Sequence, residues 1–219
     1  MSETIDTRTV TPRMNPVWRF VRSNPGICLG SGILLLMLLA AFFAPLPYNP
    51  TAPDPNSVIQ APSAKHWFGT DNVGRDVFTR VVVGARTSLL AGVTVILLAL
   101  TVGTLLGAIA GFFGGWVGNI IMRITDIFLT IPDLILAMAF AAALGPGLFN
   151  VMVAVSLVWW PGYCRLVRAN VIALRHAQFA EAASSLGASQ GRVLFRHVLP
   201  NAFSTVLVKA SMDIGFAVL

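Results

Sequence analysis

Thr87 to Met122 reads TSLLAGVTVILLALTVGTLLGAIAGFFGGWVGNIIM and contains no charged residue. An α-helix needs about 20 predominantly apolar residues to cross the hydrocarbon core of a bilayer, and this run is far longer. The composition agrees. The chain has 219 residues, is 56% hydrophobic and only 11% charged, with a mean hydropathy of +0.77. Soluble domains are about a quarter charged. The sequence therefore predicts an all-α, polytopic transmembrane helical bundle.

The net charge is +6. In a soluble protein that would point to nucleic acid. Here Arg and Lys gather in segments flanking apolar runs, as cytoplasmic loops of membrane proteins do, so the lipid bilayer is the expected partner and nucleic acid is not. Cys28 and Cys164 fall near the cytoplasmic ends of two predicted spans, where a disulfide is not expected. They form no metal-ligand spacing with His66, His176 and His197.

Residues 1–25 read as a polar cytoplasmic tail with Arg8, Arg13, Arg19 and Arg22. That basic flank holds the N-terminus inside. Residues 26–44 form the first predicted span. Arg22, the Leu-rich run and Ala41-Phe42-Phe43-Ala44 also resemble a cleaved signal peptide, but the run is long for a signal core and further spans follow. Residues 45–87 form an external segment. Pro45, Pro47, Pro50, Pro53, Pro55 and Pro62 oppose regular structure in its first half. Val77, Val81 and Ala85 recur at helical spacing in its second half, predicting a separate amphipathic helix over 73–86 lying on the membrane surface.

Residues 88–219 form the predicted core. The second span covers about 88–110. Ala99, Gly103, Gly107, Gly111 and Gly115 recur every fourth residue, a smooth strip on which another helix can approach closely. The ordinary occupant is a helix of the same chain; the alternative is a partner subunit. The third span, about 119–144, carries Arg123, Asp126, Pro132 and Asp133. Arg123 and Asp126 are spaced to pair, and Pro132 should kink the helix. The fourth span, about 148–163, ends near Arg165 and Arg168, with Pro161-Gly162 loosening its last turn. A fifth apolar run starts at Phe203, holds Lys209 and Asp213 four apart, and stops at Leu219 while still apolar. A span without a polar flank is expected of a chain cut short.

Intramembrane charges are functional candidates. Asp126 and Asp133 are the candidates for a translocation path, Asp133 meeting a solute's ammonium group. The plainer reading makes Asp133 a structural partner of Arg123 or Lys209, with Lys209 and Asp213 neutralising each other.

Between the fourth and fifth runs lies a cytoplasmic loop, 165–201. His176 to Leu186 reads as a short helix with Phe179, Ala182 or Ala183 and Leu186 as its apolar stripe. Gly187 fits the left-handed position that ends a helix. Ser189 is placed to cap a second helix, running from about Gln190 to Leu199, with Pro200 marking its limit. The result is a helix–Gly–helix elbow with a surface of small side chains.

Glu181, Ala182, Ala183, Gly187, Leu199 and Pro200 match in register the EAA motif of ABC importer permeases, in which Glu-Ala-Ala is followed after three residues by Gly and after nine more by Ile-x-Leu-Pro. His197 replaces the usual Ile, but His197 to Asn201 is similar to the peptide branch of that family. The stretches His66 to Val77 and Gly84 to Leu89 resemble the C-type subunit of dipeptide and oligopeptide permeases, as do Gly114-Gly115-Trp116, Met122-Arg123 and Leu144 to Gly147.

This resemblance implies a permease subunit in the bacterial cytoplasmic membrane, translocating di- or oligopeptides or a related small solute. It implies six spans, of which this chain supplies about five. It further implies a second permease subunit, two ABC ATPase subunits and an external solute-binding protein as partners. Ala180, Glu181, Ala182, Ala183, Ser184, Gly187 and Ala188 would couple to the ATPases. ATP and magnesium would reside on those subunits, with no cofactor on this chain. The sequence has no phosphate-binding Gly-x-x-x-x-Gly-Lys-Ser/Thr loop, and its only lysines are Lys65 and Lys209, so no ATP hydrolysis is expected here. The rival readings are an ion- or proton-coupled secondary carrier with Arg123, Asp126 and Asp133 as relay, a membrane-embedded hydrolase, and a non-transporting assembly factor.

Overall fold

A computed structural model of the chain describes residues 22–218. The predicted tail over 1–25 therefore lies almost wholly outside the described residues. Among the described residues every regular element is helical, apart from one isolated antiparallel bridge between Thr70 and Asp76. The chain divides at Arg86–Thr87 into two units.

In the first unit α1 spans Pro25–Phe43. Proline at its first turn costs nothing, because that N–H would be unpaired anyway. Ala44 leaves the helix with extended dihedrals, as the residue before Pro45 must. Only Ala41 of α1 is buried, and its carbonyl accepts from Arg86 Nε. The leucines face outward, as lipid-facing side chains do.

The segment after α1 has a single 3-10 turn, Pro55–Ser57, yet it is tightly tied. The Asp54 carboxylate caps that turn, accepting from Asn56 N at 3.0 Å and Ser57 Oγ at 2.7 Å. Asp71 accepts from the amides of Val73 and Arg75, each at 3.0 Å, from Arg75 Nε at 2.8 Å, and from Arg80 Nη1. Gly74 has φ +82, and a Cβ there would sit 1.9 Å from the Asp54 carbonyl. Only glycine allows that crossing.

Desolvation pushes the Asp71 carboxyl up, but the hydrogen bonds from Arg75 and Val73 and the Arg75 charge outweigh it and bring it from 3.8 down to about 2. A depressed carboxylate stabilises the fold fully above its ordinary value and loses that contribution as pH falls through the folded value. The amides of Val73 and Arg75 should therefore stay protected from hydrogen exchange at pH 5 and lose protection as the pH falls from about 4 to about 2. Asp71→Asn should show weakened protection already at pH 5. Equal protection in both proteins at pH 5 would contradict this.

Helix α2 spans Val77–Phe113, which corrects the expectation of a separate surface helix over 73–86. Asp76 precedes it and accepts from Thr79 N at 2.7 Å, an N-cap. Nothing in the following residues stops the helix: Gly84 and Gly92 are single and no proline intervenes. Its 37 residues rise about 55 Å, more than the ~30 Å hydrocarbon core, so one helix accommodates both the charged start and the uncharged run.

The second unit begins within α2. Gly114 and Gly115 both have positive φ and turn the chain into α3, Gly115–Thr130. The expected kinked span over 119–144 is instead two helices, α3 and α4, the latter Asp133–Leu144, meeting at 96°. Ile131 adopts φ −94, ψ 133 because Pro132 disfavours helical dihedrals before it. A proline preceded by an extended residue breaks a helix rather than bending it. At the far end of α4 the Asn150 amide donates to the carbonyls of Leu144 at 2.8 Å and Gly145 at 3.2 Å, closing the turn.

Helix α5, Leu148–Leu174, runs through Pro161-Gly162 and past Arg165 and Arg168. The span expected to end at Tyr163, and the loop expected to begin at Arg165, are one helix. Packing holds it. A Cβ on Gly103 would lie 2.5 Å from Tyr163 Cβ, one on Gly107 2.9 Å from Val167 Cβ, and one on Gly111 3.0 Å from Val171 Cβ. The glycine stripe of α2 thus meets a stripe of α5 residue for residue, both with the four-residue spacing of ridge-and-groove packing. The occupant of the strip is this chain's own helix.

After α5 come α6, Gln178–Ser185, α7, Gln190–Val193, a π-helical turn, Leu194–Val198, and α8, Leu199–Val218. Pro200 therefore lies in the first turn of a helix instead of ending one. Its ring would crowd the carbonyl four residues back, that of Arg196, which sits in the wider π turn. Leu194, Val198, Ala202, Val206 and Ala210 form a third buried stripe, joined in one core with Tyr163, Val167 and Val171.

By length and apolarity α1 and α2 each suffice to cross a membrane, and α3 with α4 do so only as a bent pair. The sequence suggested five spans. Helices α5 and α8 fall short of that standard on their own, since α5 carries Pro161, Arg165 and Arg168 and α8 carries Lys209 and Asp213.

Candidate functional site: an exposed elbow and a charged cleft

Helix α6 is too short to be stable alone. It is held because Ala180, 1% exposed, and half-buried Ala183 and Ala188 pack on the core formed by α5, the π turn and α8. Of the expected stripe of Phe179, Ala182 or Ala183, and Leu186, only Ala183 packs on the core: Phe179 and Ala182 are exposed, and Leu186 is 88% exposed. The alanines face inward because only they fit the close approach, and the larger apolar side chains are turned out.

The helix closes with two crossed bonds. Ala188 N donates to the Ala183 carbonyl at 3.1 Å and Gly187 N to the Ser184 carbonyl at 3.0 Å. Gly187 has φ +84. This is the Schellman pattern, with the left-handed glycine at its expected place. Ser184 and Ser185 spend their hydroxyls on the Ala180 and Glu181 carbonyls, both at 2.9 Å. Ser189 precedes α7 but makes no side-chain cap bond. The elbow thus closes the C-terminal end of α6 with its own backbone and presents Glu181, Ala182, Ser184, Leu186 and Gly187 outward.

Arg175 ties this elbow to the bundle. Its Nη1 donates to the carbonyls of Gly111 at 3.3 Å and Phe112 at 3.2 Å, in the last turn of α2, where carbonyls lack helical partners. Its Nε bonds His176 Nε2 at 2.9 Å. Sequence reading missed Arg175, because one arginine among several in a basic segment carries no periodic signal.

Asp126 and Asp133, the two candidates for a translocation path, are not together. Asp126 pairs with Arg165 at 2.5 Å, both side chains 57% exposed. It does not pair with Arg123. Helix α5 runs beside α3 here, Thr125 Oγ1 lying 3.6 Å from Cys164 Sγ, so a cation from the neighbouring helix reaches Asp126. Asp133 opens α4, where the helix dipole favours a negative charge. It is exposed and forms no ion pair among the described residues. It lines a cleft of about 260 Å³ with Leu129, Trp159, Lys209, Asp213 and Phe216. Lys209 is taken by Asp213 at 2.9 Å, the mutual neutralisation their spacing implies, and its Nζ stands 5.2 Å from the Tyr163 ring centroid. Among the described residues no three of His, Cys, Asp and Glu gather as a metal site.

Residues 103–219 match the family of binding-protein-dependent transport system inner membrane components. Residues 14–62 match the N-terminal transmembrane domain of oligopeptide transport permease C. The probable D,D-dipeptide transport system permease of Escherichia coli (strain K12) is 45% identical over 93% of this chain and 68% of its own length. The dipeptide transport system permease of Alkalihalophilus pseudofirmus is 41% identical over 98% of this chain and 71% of its own length. The oligopeptide transport system permease of Bacillus subtilis (strain 168) is 36% identical over 99% and 72%.

Proposed function

We propose, from the fact that this chain belongs to the family of binding-protein-dependent transport system inner membrane components, that it is the permease subunit of an ATP-driven importer of di- or oligopeptides. The relatives named above are peptide-transport permeases of the C type by their own descriptions. The chain is a transport-system component of the membrane. On this reading its N-terminus is cytoplasmic, it assembles with a second permease subunit, and an external binding protein delivers the solute. Two ATPase subunits carry ATP and magnesium, and this chain does not hydrolyse ATP.

One observation carries the coupling role. Leu186, 88% exposed, stands at the tip of an elbow whose first helix is closed by its own backbone and whose root, Arg175, grips the end of α2. An exposed leucine on a rigid, small-residue surface fits a hydrophobic groove of another protein. Motion imposed on Ala180 to Ala188 would pass through the buried face of Ala180 and Ala183 and through Arg175 to α2, α5 and α8. Glu181, Ala182, Ser184 and Gly187 would form the docking face.

Affinity purification of the protein with its native partners tests the reading. Recovery of a second permease and two ATPase subunits is expected. Uptake that persists without any ATPase and collapses with a protonophore would replace this reading with a secondary carrier.

A further inference from the structure

The cleft beside Asp133 gathers charged groups among apolar side chains. It holds two carboxylates and one ammonium, Asp133, Asp213 and Lys209, beside the rings of Trp159 and Phe216. Charges in the apolar helices of a membrane protein are costly unless they are paired or functional. Lys209 and Asp213 satisfy each other at 2.9 Å, and the Tyr163 ring face helps hold the ammonium. Gly162 leaves room for that lysine: a Cβ there would lie 3.7 Å from Lys209 Cε, an ordinary contact. Asp133 has no such partner among the described residues, so the cleft keeps one uncompensated negative charge beside two aromatic walls.

We infer that this cleft is a specificity site for the free amino terminus of the transported peptide, with Asp133 receiving the α-ammonium. The inference rests on the peptide-importer reading above. A cation next to a carboxylate gains charge-assisted hydrogen bonds, and ring faces add cation–π attraction. A solute carboxylate would meet Asp133 and Asp213 and find Lys209 already engaged, so the cleft discriminates against that end. Size agrees with one end rather than a whole solute. Pockets that enclose a drug-sized ligand are ~300–1,000 Å³, and this cleft is about 260 Å³.

The test uses the complete transporter in proteoliposomes, with one binding protein throughout. Uptake of a dipeptide is compared with that of the same dipeptide N-acetylated. Because the binding protein is constant, a change in the ratio of the two uptake rates between variants reports on this chain. Asp133→Asn should lower the preference for the free amine about tenfold by raising its KM. Asp133→Glu should keep the preference. An unchanged ratio in Asp133→Asn, or equal loss of both substrates in Asp133→Asn and Asp133→Glu alike, would overturn the inference while leaving the importer reading intact. Failure of the unmodified transporter to take up either dipeptide would remove the peptide reading and this inference together.

Discussion

Gly107→Ile is expected to abolish accumulation of the folded protein in the membrane. A Cβ at this position would stand 2.5 Å from the Cys164 carbonyl oxygen and 2.9 Å from Val167 Cβ. The first contact is with backbone, which cannot rotate away. Ordinary overpacking costs about 1–3 kcal/mol. Here α2 and α5 must separate, so the neighbouring approaches at Gly103 and Gly111 are lost as well. Against total stabilities of about 5–15 kcal/mol that is enough to unfold the pair. Gly30→Ala on α1, where a Cβ meets nothing within 4 Å, should leave the protein as abundant as before. Membrane-fraction yield and size-exclusion behaviour in detergent read both. A well-folded Gly107→Ile protein would show that the two stripes do not lie against each other.

Gly187→Val is expected to leave the protein in the membrane but cut uptake by tenfold or more, with ATP hydrolysis continuing uncoupled. Space is not the constraint, because a Cβ at Gly187 meets nothing within 4 Å. The constraint is φ +84. A left-handed conformation costs an L-residue roughly 1–2 kcal/mol, and a β-branched one is a poorer fit still. That is a factor of about 5–30 in the population of the closed cap. The bonds at risk are those from Gly187 and Ala188 to Ser184 and Ala183, which fix the angle between α6 and α7. Gly187→Asn, a residue that tolerates this conformation, should retain uptake within about twofold. If the valine and asparagine variants behave alike, the cap geometry is not what transmits the coupling.

What sequence made legible here was whatever is encoded by local or strictly periodic patterns. The uncharged stretch from Thr87 declared a membrane protein. The four-residue recurrence of Gly103, Gly107 and Gly111 declared a close helix contact, and the single Gly187 declared a helix end. What it did not reveal was decided by neighbours distant in the chain. Val77 to Phe113 is an exception: it is one helix because no breaker follows the Asp76 cap, so an amphipathic portion runs on into a lipophilic one. Pro161 fails to end α5 because the α2 stripe presses on both sides of it. Asp126 pairs with Arg165 rather than Arg123 because α5 runs beside α3. At the elbow the register of small residues was legible, but Leu186 was read as part of the buried stripe. Nothing local says that three alanines will face inward and the leucine outward; the close approach of α6 to α5 and α8 selects the smallest side chains.

On the proposed reading the elbow seats in a separate ATPase subunit on the cytoplasmic side. A photo-crosslinking amino acid placed at Leu186 in the assembled transporter tests it most directly. A light-dependent adduct with an ATPase subunit is expected, and none when the same probe replaces Val58 in the first unit. An adduct at Val58 with the ATPase, labelling of position 186 by a membrane-impermeant reagent from the outer face, or no adduct at 186 in a transporter that is active in uptake would contradict it.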